Sequence, residues 1–429
     1  MPTLLWFRRD LRLGDLPSLL DAAHADGEVL ACYVLDPRLE ASSGARRLQY
    51  LYDALRELRD ALDGRLLVTR GRPETRIPAI AKQIHATSVH VTADYSPFGV
   101  RRDKAVRDAL GDVRLEESGS PYLVSPGRVT KSDGTPYKVF TPFYSAWREH
   151  GWRGPAKTGP NSASWIDPAD VKGGNDIPAG DVQLELPAGE AAAHTAWRTF
   201  IDSGLIEYEA NRNRPDLNGS RMSAHLKFGC IHPRTMVTDL GSGKGAQAYV
   251  RELAFRDFYA GVLYEWPRSV WWNFNKSFDD IDVDDGPEAK KRFEAWKAGR
   301  TGFPIVDAGM RQLAETGFMH NRVRMVVASF LVKDLHLPWQ WGARWFLDQL
   351  VDGDMASNQH GWQWAAGSGT DAAPYFRVFN PTTQGEKFDP NGDYVRRWVP
   401  EVDDDHYPDP IVEHKAERAE ALRRYGAIT

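Results

Sequence analysis

Apolar residues recur in two rhythms along this chain, and the change from one to the other constrains the fold more than any other feature. Up to about residue 125, short apolar runs at Thr3–Phe7, Val29–Leu35, Leu66–Thr69 and Val89–Thr92 alternate with segments of helical period, Arg46–Leu62 and Pro73–His85. Leu48, Leu51, Leu55 and Leu58 share one face of the first such helix. Strand and helix in alternation predict a parallel sheet with helices on both faces, a Rossmann-like α/β domain over 1–125. From about Ala191 onward the rhythm is helical and no convincing strand is read, so a larger all-α domain is expected over 195–429. Between them Pro, Gly, Ala and Asp crowd Gly154–Ala193, the composition of a connector, which is placed at 126–194. Phe140, Phe143, Trp147 and Trp152 imply that its first part is packed.

Parallel sheets bind ligands at the carboxyl ends of their strands. Here the first strand runs into Arg8-Arg9-Asp10-Leu11-Arg12, whose arginines either grip an anion or pair with nearby acids. No G-x-G-x-x-G follows a strand, and Gly241-Ser-Gly-Lys244-Gly lacks the spacing of a phosphate loop, so it reads as a flexible turn. Cys32 and Cys230 are far apart and read as buried small hydrophobes, with no disulfide framework and no metal site. With no signal peptide and no apolar run long enough for a bilayer, a cytoplasmic location is expected. The net charge of −5 does not announce a nucleic-acid binder, but Asp279–Asp285 and Glu401–Asp405 concentrate the acid and leave the remainder nearer neutral or basic. Fifteen tryptophans point to stacking surfaces, an interface or electron transfer, with an aromatic-rich core as the plain alternative.

Val351–Phe388 reads as the lining of a pocket for something large, flat and polar at one end. Asp352 and Asp354 bracket Gly353, Asn358 follows, Trp362 and Trp364 flank a glutamine, and a loop-like run carries Tyr375, Phe376 and Phe379. Three further constellations carry chemistry. Tyr208 and Arg212 precede Asn218–Ser223, whose hydroxyls are placed to cap a helix beside an anion. Glu252, Phe255, Arg256 and Tyr259 share one helical face, as a recognition surface or as a common surface ion pair. Asn321 and Met325 also face one way, while Arg322 and Arg324 point elsewhere, one of them towards a phosphate. Thr301–Ala308 reads as a tight turn into a helix.

Thr301–Leu313, Gly317–Lys333 and Asp352–Phe388, with the opening L-L-W-F-R-R-D-L-R-L-G-D, closely resemble the photolyase/cryptochrome family, nearest to the microbial class I enzymes that repair cyclobutane pyrimidine dimers. The resemblance spans essentially the whole chain. It implies an antenna domain followed by a helical domain that holds FAD and damaged DNA. Tyr208, Gly219, Ser220, Arg221, Met222, Ser223, Asp352, Gly353, Asp354 and Asn358 match the cofactor contacts, Asn358 facing the reactive flavin nitrogen. Arg212, Glu252, Phe255, Arg256, Tyr259, Asn321, Arg322 and Trp364 match lesion and DNA contacts. Glu252, Asn321, Met325 and Asn358 match the catalytic set, and Trp362 and Trp339 the first two members of the electron-supplying tryptophan chain. The implied reaction is light-driven: an electron passes from excited reduced FAD to a flipped-out dimer, the cyclobutane ring opens, and the electron returns.

The resemblance also implies a second, antenna chromophore, whether a deazaflavin, methenyltetrahydrofolate or a flavin. The implied partner is single- or double-stranded DNA carrying pyrimidine dimers, with no membrane, no obligate protein partner and a monomeric state. Three positions depart from the family pattern. Phe255 replaces a tryptophan against the dimer, Gly286 stands where the third tryptophan of the chain belongs, and Leu16-Pro17 alters the antenna region. If the electron chain does not end at Trp339, the candidates are Trp271, Trp272, Trp341 and Trp345. The rival readings are a signalling cryptochrome, a six-four photolyase, for which a histidine pair replaces His320-Asn321, and a dark flavin oxidoreductase.

Overall fold

The structure, a computed structural model, describes residues 1–428 except Asp26, Asn218, Ala373 and Tyr375. Asn218 and Tyr375, both singled out above, therefore lie outside the described residues. The chain forms two compact units: Met1–Tyr137 with Thr141–Ile206 and Ser220–Glu265, and Lys138–Phe140 with Glu207–Gly219 and Trp266–Thr429.

The first unit is built on a five-stranded, wholly parallel sheet of β1 (Thr3–Phe7), β2 (Val29–Leu35), β3 (Leu66–Arg70), β4 (Ser88–Val91) and β5 (Arg114–Glu117), in the order β3-β2-β1-β4-β5. β1 is buried throughout and β2 nearly so because helices cover both faces of the sheet, which removes the usual alternation. The sequence reading missed β5. As an edge strand, Arg-Leu-Glu-Glu buries only Leu115 and so carries no apolar run. The helix Ala45–Ala61 buries Leu55 and Leu58 as expected, but Leu48 and Leu51 only partly. Tyr50 takes the deeper place, stacked on Phe228 at 4.7 Å with its hydroxyl 2.6 Å from His225 Nδ1.

The arginine cluster after β1 pairs inward. Arg8 is 2.5 Å from the Asp103 carboxylate and donates to the Thr92 carbonyl, while Arg12 donates to the carbonyls of Gly14, Asp15 and Gly229. Arg8 thus pairs with an acid, one of the two readings above, while Arg12 is held by backbone carbonyls.

The region read as a connector contains a helix, Phe140–His150, in its packed first part. Its Phe143 and Trp147 are buried, and Trp147 packs on Trp152 at 4.8 Å. Trp147 also donates its indole N–H to Asp257 (3.0 Å), which accepts from the Val124 amide as well (2.9 Å). Burial pushes the Asp257 carboxyl up to about 6. The folded value thus lies above the unfolded one, so the contribution is full below the unfolded value and is lost as pH rises through about 6. Asp257→Asn should therefore remove part of the stability gained on acidification from neutral pH towards 4. That part is up to about 3 kcal/mol and is read as the wild-type minus variant difference in urea midpoints.

The second unit is helical, and no strand follows Glu117 among the described residues. Its core is formed by Pro287–Lys297, Pro304–Thr316, Asn321–Lys333, Trp339–Gln349 and Met355–Ala366, packed around Trp296, Phe330, Phe346 and Trp362. The turn at Thr301 is held by Asp307, whose carboxylate accepts from the amides of Thr301 and Gly302 and from the hydroxyls of Thr301 and Tyr407. Gly302 adopts φ +77°, the conformation a glycine takes without strain. No described helix is long and apolar enough to cross a membrane.

Candidate functional site

In the second unit Asp352 precedes the helix Met355–Ala366 and is buried. Its Oδ2 accepts from the Arg324 guanidinium at 2.9 Å, and Arg324 is anchored in turn on the Met319 carbonyl at 2.8 Å. Asp352 Oδ1 is buried with no hydrogen-bond partner. An acceptor kept from water and left unmatched costs about 1–3 kcal/mol, which a bound donor would recover. Asp354 caps the same helix, accepting from the amides of Ala356 and Ser357. One turn on, Asn358 donates its amide to the Ala343 carbonyl (3.0 Å) and to Gln359 Oε1 (2.7 Å), which fixes the orientation of the side chain.

Farther along, Trp362 is 2 % exposed and lies edge-on to Phe346 (5.0 Å) and Trp296 (6.1 Å). Gly342 makes this possible, because a Cβ there would clash with the outer edge of the Trp362 ring. Trp364 is half-buried beside Phe379 at 6.4 Å, and Trp339 is buried with its indole N–H on Asn273 (2.9 Å).

The helix Asn321–Lys333 begins at His320, whose Nδ1 accepts from the Arg322 amide. Val323, Val326 and Val327 face the core, which leaves Asn321 exposed and Met325 half-buried. Arg322 lies over the Phe388 ring at 4.4 Å and donates to Asn213 Oδ1 at 2.8 Å. Burial, followed by the charge of Arg212, lowers the Arg322 pKa. Two arginine charges that work against each other make this a place where an anion is favoured. The pair of arginines after His320 thus divides its work, with Arg324 holding Asp352 and Arg322 beside Arg212. Burial, together with Arg324 and Arg322, pushes His320 down to about 4, so it is neutral at pH 7. Tyr208 begins a short helix, and Gly219 is exposed.

In the first unit, Glu252, Phe255, Arg256 and Tyr259 are all half-buried on the helix Lys244–Glu265, while Leu253, Ala254, Asp257 and Phe258 are buried. The expected recognition face is therefore the accessible one. Phe255 lies 6.2 Å from Tyr259, and Arg251 is 5.9 Å from the Phe255 centroid. Arg256 donates to the carbonyls of Pro121 and Leu226 and lies over Tyr122, so its charge ties this helix to its surroundings. Ser220 and Ser223 do not cap as expected. The helix Ser223–Phe228 has Met222 at its cap position, Arg221 takes φ +51°, and Ser220 pairs with the Tyr249 hydroxyl at 2.9 Å.

Two family models match this chain: DNA photolyase over residues 3–161 and the FAD binding domain of DNA photolyase over residues 249–406. The chain belongs to the DNA photolyase family. It is 40% identical to a deoxyribodipyrimidine photo-lyase of Thermus thermophilus, over 99% of this chain and 97% of that relative. Among solved structures it resembles a bacterial class III photolyase from Agrobacterium tumefaciens, with a TM-score of 0.88 and 34% identity over 100% of this chain and 97% of the other. A Synechocystis cryptochrome is equally similar in fold, with a TM-score of 0.88 and 28% identity over 99% of each chain. Membership of the photolyase family brings an FAD-binding domain with it, and the second unit suits that cofactor: the unmatched acceptor on Asp352 is the kind of atom a ribose hydroxyl or ring N–H satisfies.

The sequence reading did not identify Arg324, Gly342 or Phe346 as supports of this photolyase site. The arginine announced itself only as one of two, and a glycine inside an amphipathic helix gives no sign of which ring it admits.

Proposed function

We propose that this chain is a blue-light-driven repair enzyme that splits cyclobutane pyrimidine dimers in DNA. The observation that carries this reading is similarity along nearly the whole chain to proteins named deoxyribodipyrimidine photo-lyase. FAD, when bound, supplies an electron that light makes available to the dimer and that returns once the ring has opened. Tyr208, Gly219–Ser223, Asp352, Gly353, Asp354 and Asn358 hold that cofactor. Photolyases are established base-flipping enzymes, and extruding a damaged pair costs about a few kcal/mol. Glu252 accepts hydrogen bonds from the base edges, Asn321 and Met325 contact the dimer, and Phe255, Tyr259 and Trp364 offer it aromatic surface. Arg212 and Arg322 take the phosphates, with Arg256 holding its helix in place. Trp362 and Trp339 supply electrons that keep the cofactor reduced.

The same reading places the antenna domain at 1–125, the connector at 126–194 and the FAD domain at 195–429, in a cytoplasmic monomer. It includes a second chromophore, a deazaflavin, a methenyltetrahydrofolate or a flavin.

The test is repair of a thymine-dimer oligonucleotide by the reduced protein under blue light. Dimers should disappear in the light and persist in the dark; persistence in both would favour the cryptochrome reading. Trp362→Phe should slow photoreduction of the oxidised flavin by about tenfold or more while leaving repair by chemically reduced protein near wild type. Equal photoreduction in the two proteins would rule that route out. Phe255→Trp should bind the lesion as tightly as the wild type or about tenfold tighter, since a larger ring adds stacking surface. A marked loss in a fluorescence-anisotropy titration would mean that the pocket is shaped for phenylalanine.

A further inference from the structure

The aromatic side chains of the second unit continue outward from Trp362 along a line that the proposed function leaves unused. Trp362 and Trp296 are edge-on at 6.1 Å, Trp296 stacks on Phe293 at 5.7 Å and 15°, and Phe293 meets Trp341 at 5.3 Å. Exposure changes along the line: Trp362 and Trp296 are 2 % and 0 % exposed, while Trp341 is half-buried. Indole gives up an electron far more readily than a phenyl ring, so Phe293 is a bridge to tunnel across and never a stopping point. Trp296 holds its N–H on the Val327 carbonyl at 3.1 Å in a place closed to water. A cation formed there has no base to take its proton and must pass its charge on. Trp341 reaches the solvent, and water is able to take its proton. Trp345 is the rival end of the line, but the Lys297 ammonium lies 4.8 Å over its ring and opposes positive charge there. That ammonium is also 5.2 Å from Phe293, a ring that holds no charge in this scheme.

We infer that Trp341, reached through Trp296, is the outer electron donor of this protein, in place of the tryptophan that Gly286 lacks. The inference rests on the FAD-dependent reading above. Trp362 gives one electron to the light-excited oxidised FAD and is refilled from Trp296, in parallel with Trp339 of the reading above, and Trp296 is refilled from Trp341. Trp341 is thereby oxidised by one electron, releases its indole proton to water, and is restored by an external thiol, which is oxidised to half a disulfide.

The test uses the full-length, FAD-loaded protein under blue light with and without a thiol. Bleaching of the oxidised flavin band in the presence of thiol should fall about tenfold in Trp341→Phe, with an unchanged thermal melt. Independently, wild-type protein illuminated in air without thiol should acquire oxidised tryptophan at position 341, located by peptide mass spectrometry, and a dark control should not. Wild-type bleaching rates in the variant, or an oxidation mark at Trp271, Trp272, Trp339 or Trp345 with none at Trp341, would overturn the inference alone. A wild-type protein whose bound flavin does not bleach at all would overturn the functional reading together with it.

Discussion

Asp352→Ala should leave the protein largely free of FAD after purification. Two losses coincide at this position. The carboxylate is the partner of Arg324, so its removal strands a partly buried guanidinium, and it carries an acceptor atom that the fold leaves unmatched beside the cap of Met355–Ala366. A hydrogen bond involving a charged group contributes about 1.5–3 kcal/mol, which is roughly a ten- to hundredfold weaker dissociation constant. The ratio of flavin to protein absorbance gives the first reading and a fluorescence titration with added FAD the second. Because ligand binding stabilises the folded state by mass action, the melting temperature of the FAD-saturated variant should fall as well. Wild-type stoichiometry and affinity in Asp352→Ala would mean that the unmatched oxygen serves something other than the cofactor.

Gly342→Ala should damage the photochemistry through packing alone. The added methyl group enters the volume of the Trp362 ring, and that ring is confined on its other edges by Phe346 and Trp296. Overpacking of this kind typically costs about 1–3 kcal/mol, and a unit of this size loses about 2–4 °C of melting temperature per kcal/mol. A displaced Trp362 should slow flavin photoreduction in the same variant. The double variant Gly342→Ala with Trp362→Phe separates steric from electronic effects. The smaller ring should recover most of the melting temperature but none of the photoreduction rate, a strongly non-additive pair. Additive losses would show that the ring at 362 is not what the methyl group strikes.

The sheet was legible wherever strands are buried on both faces, because burial there writes a continuous apolar run; it was illegible at β5, where one leucine in four residues suffices at an edge. The helix at Phe140–His150 was missed although Phe140, Phe143, Tyr144 and Trp147 recur at helical spacing, because Pro142 interrupts the run and a stretch rich in Pro, Gly and Asp follows it. At the candidate site, the half-buried face of Glu252, Phe255, Arg256 and Tyr259 follows from spacing, whereas the capping role of Asp354 was not read from the sequence. The partner of each arginine does not. Whether Arg322 or Arg324 meets Asp352 depends on how the helix Asn321–Lys333 is turned, which Val323, Val326 and Val327 decide through the core. The inward pairing of Arg8 and Arg12 was equally unreadable, since Asp103 and the carbonyls of Thr92 and Gly229 come from distant parts of the chain.

The strand order also governs how the chain assembles. β1 is the middle strand of the sheet, with β2 on one side and β4 on the other. During synthesis the centre of the sheet therefore emerges first and waits with an unpaired edge until β4 is made. Parallel pairings of this separation are slow to close. A nascent chain that stalls before residue 88 presents an apolar strand with one flank open, so translation pauses in that interval should raise aggregation more than pauses later in the chain.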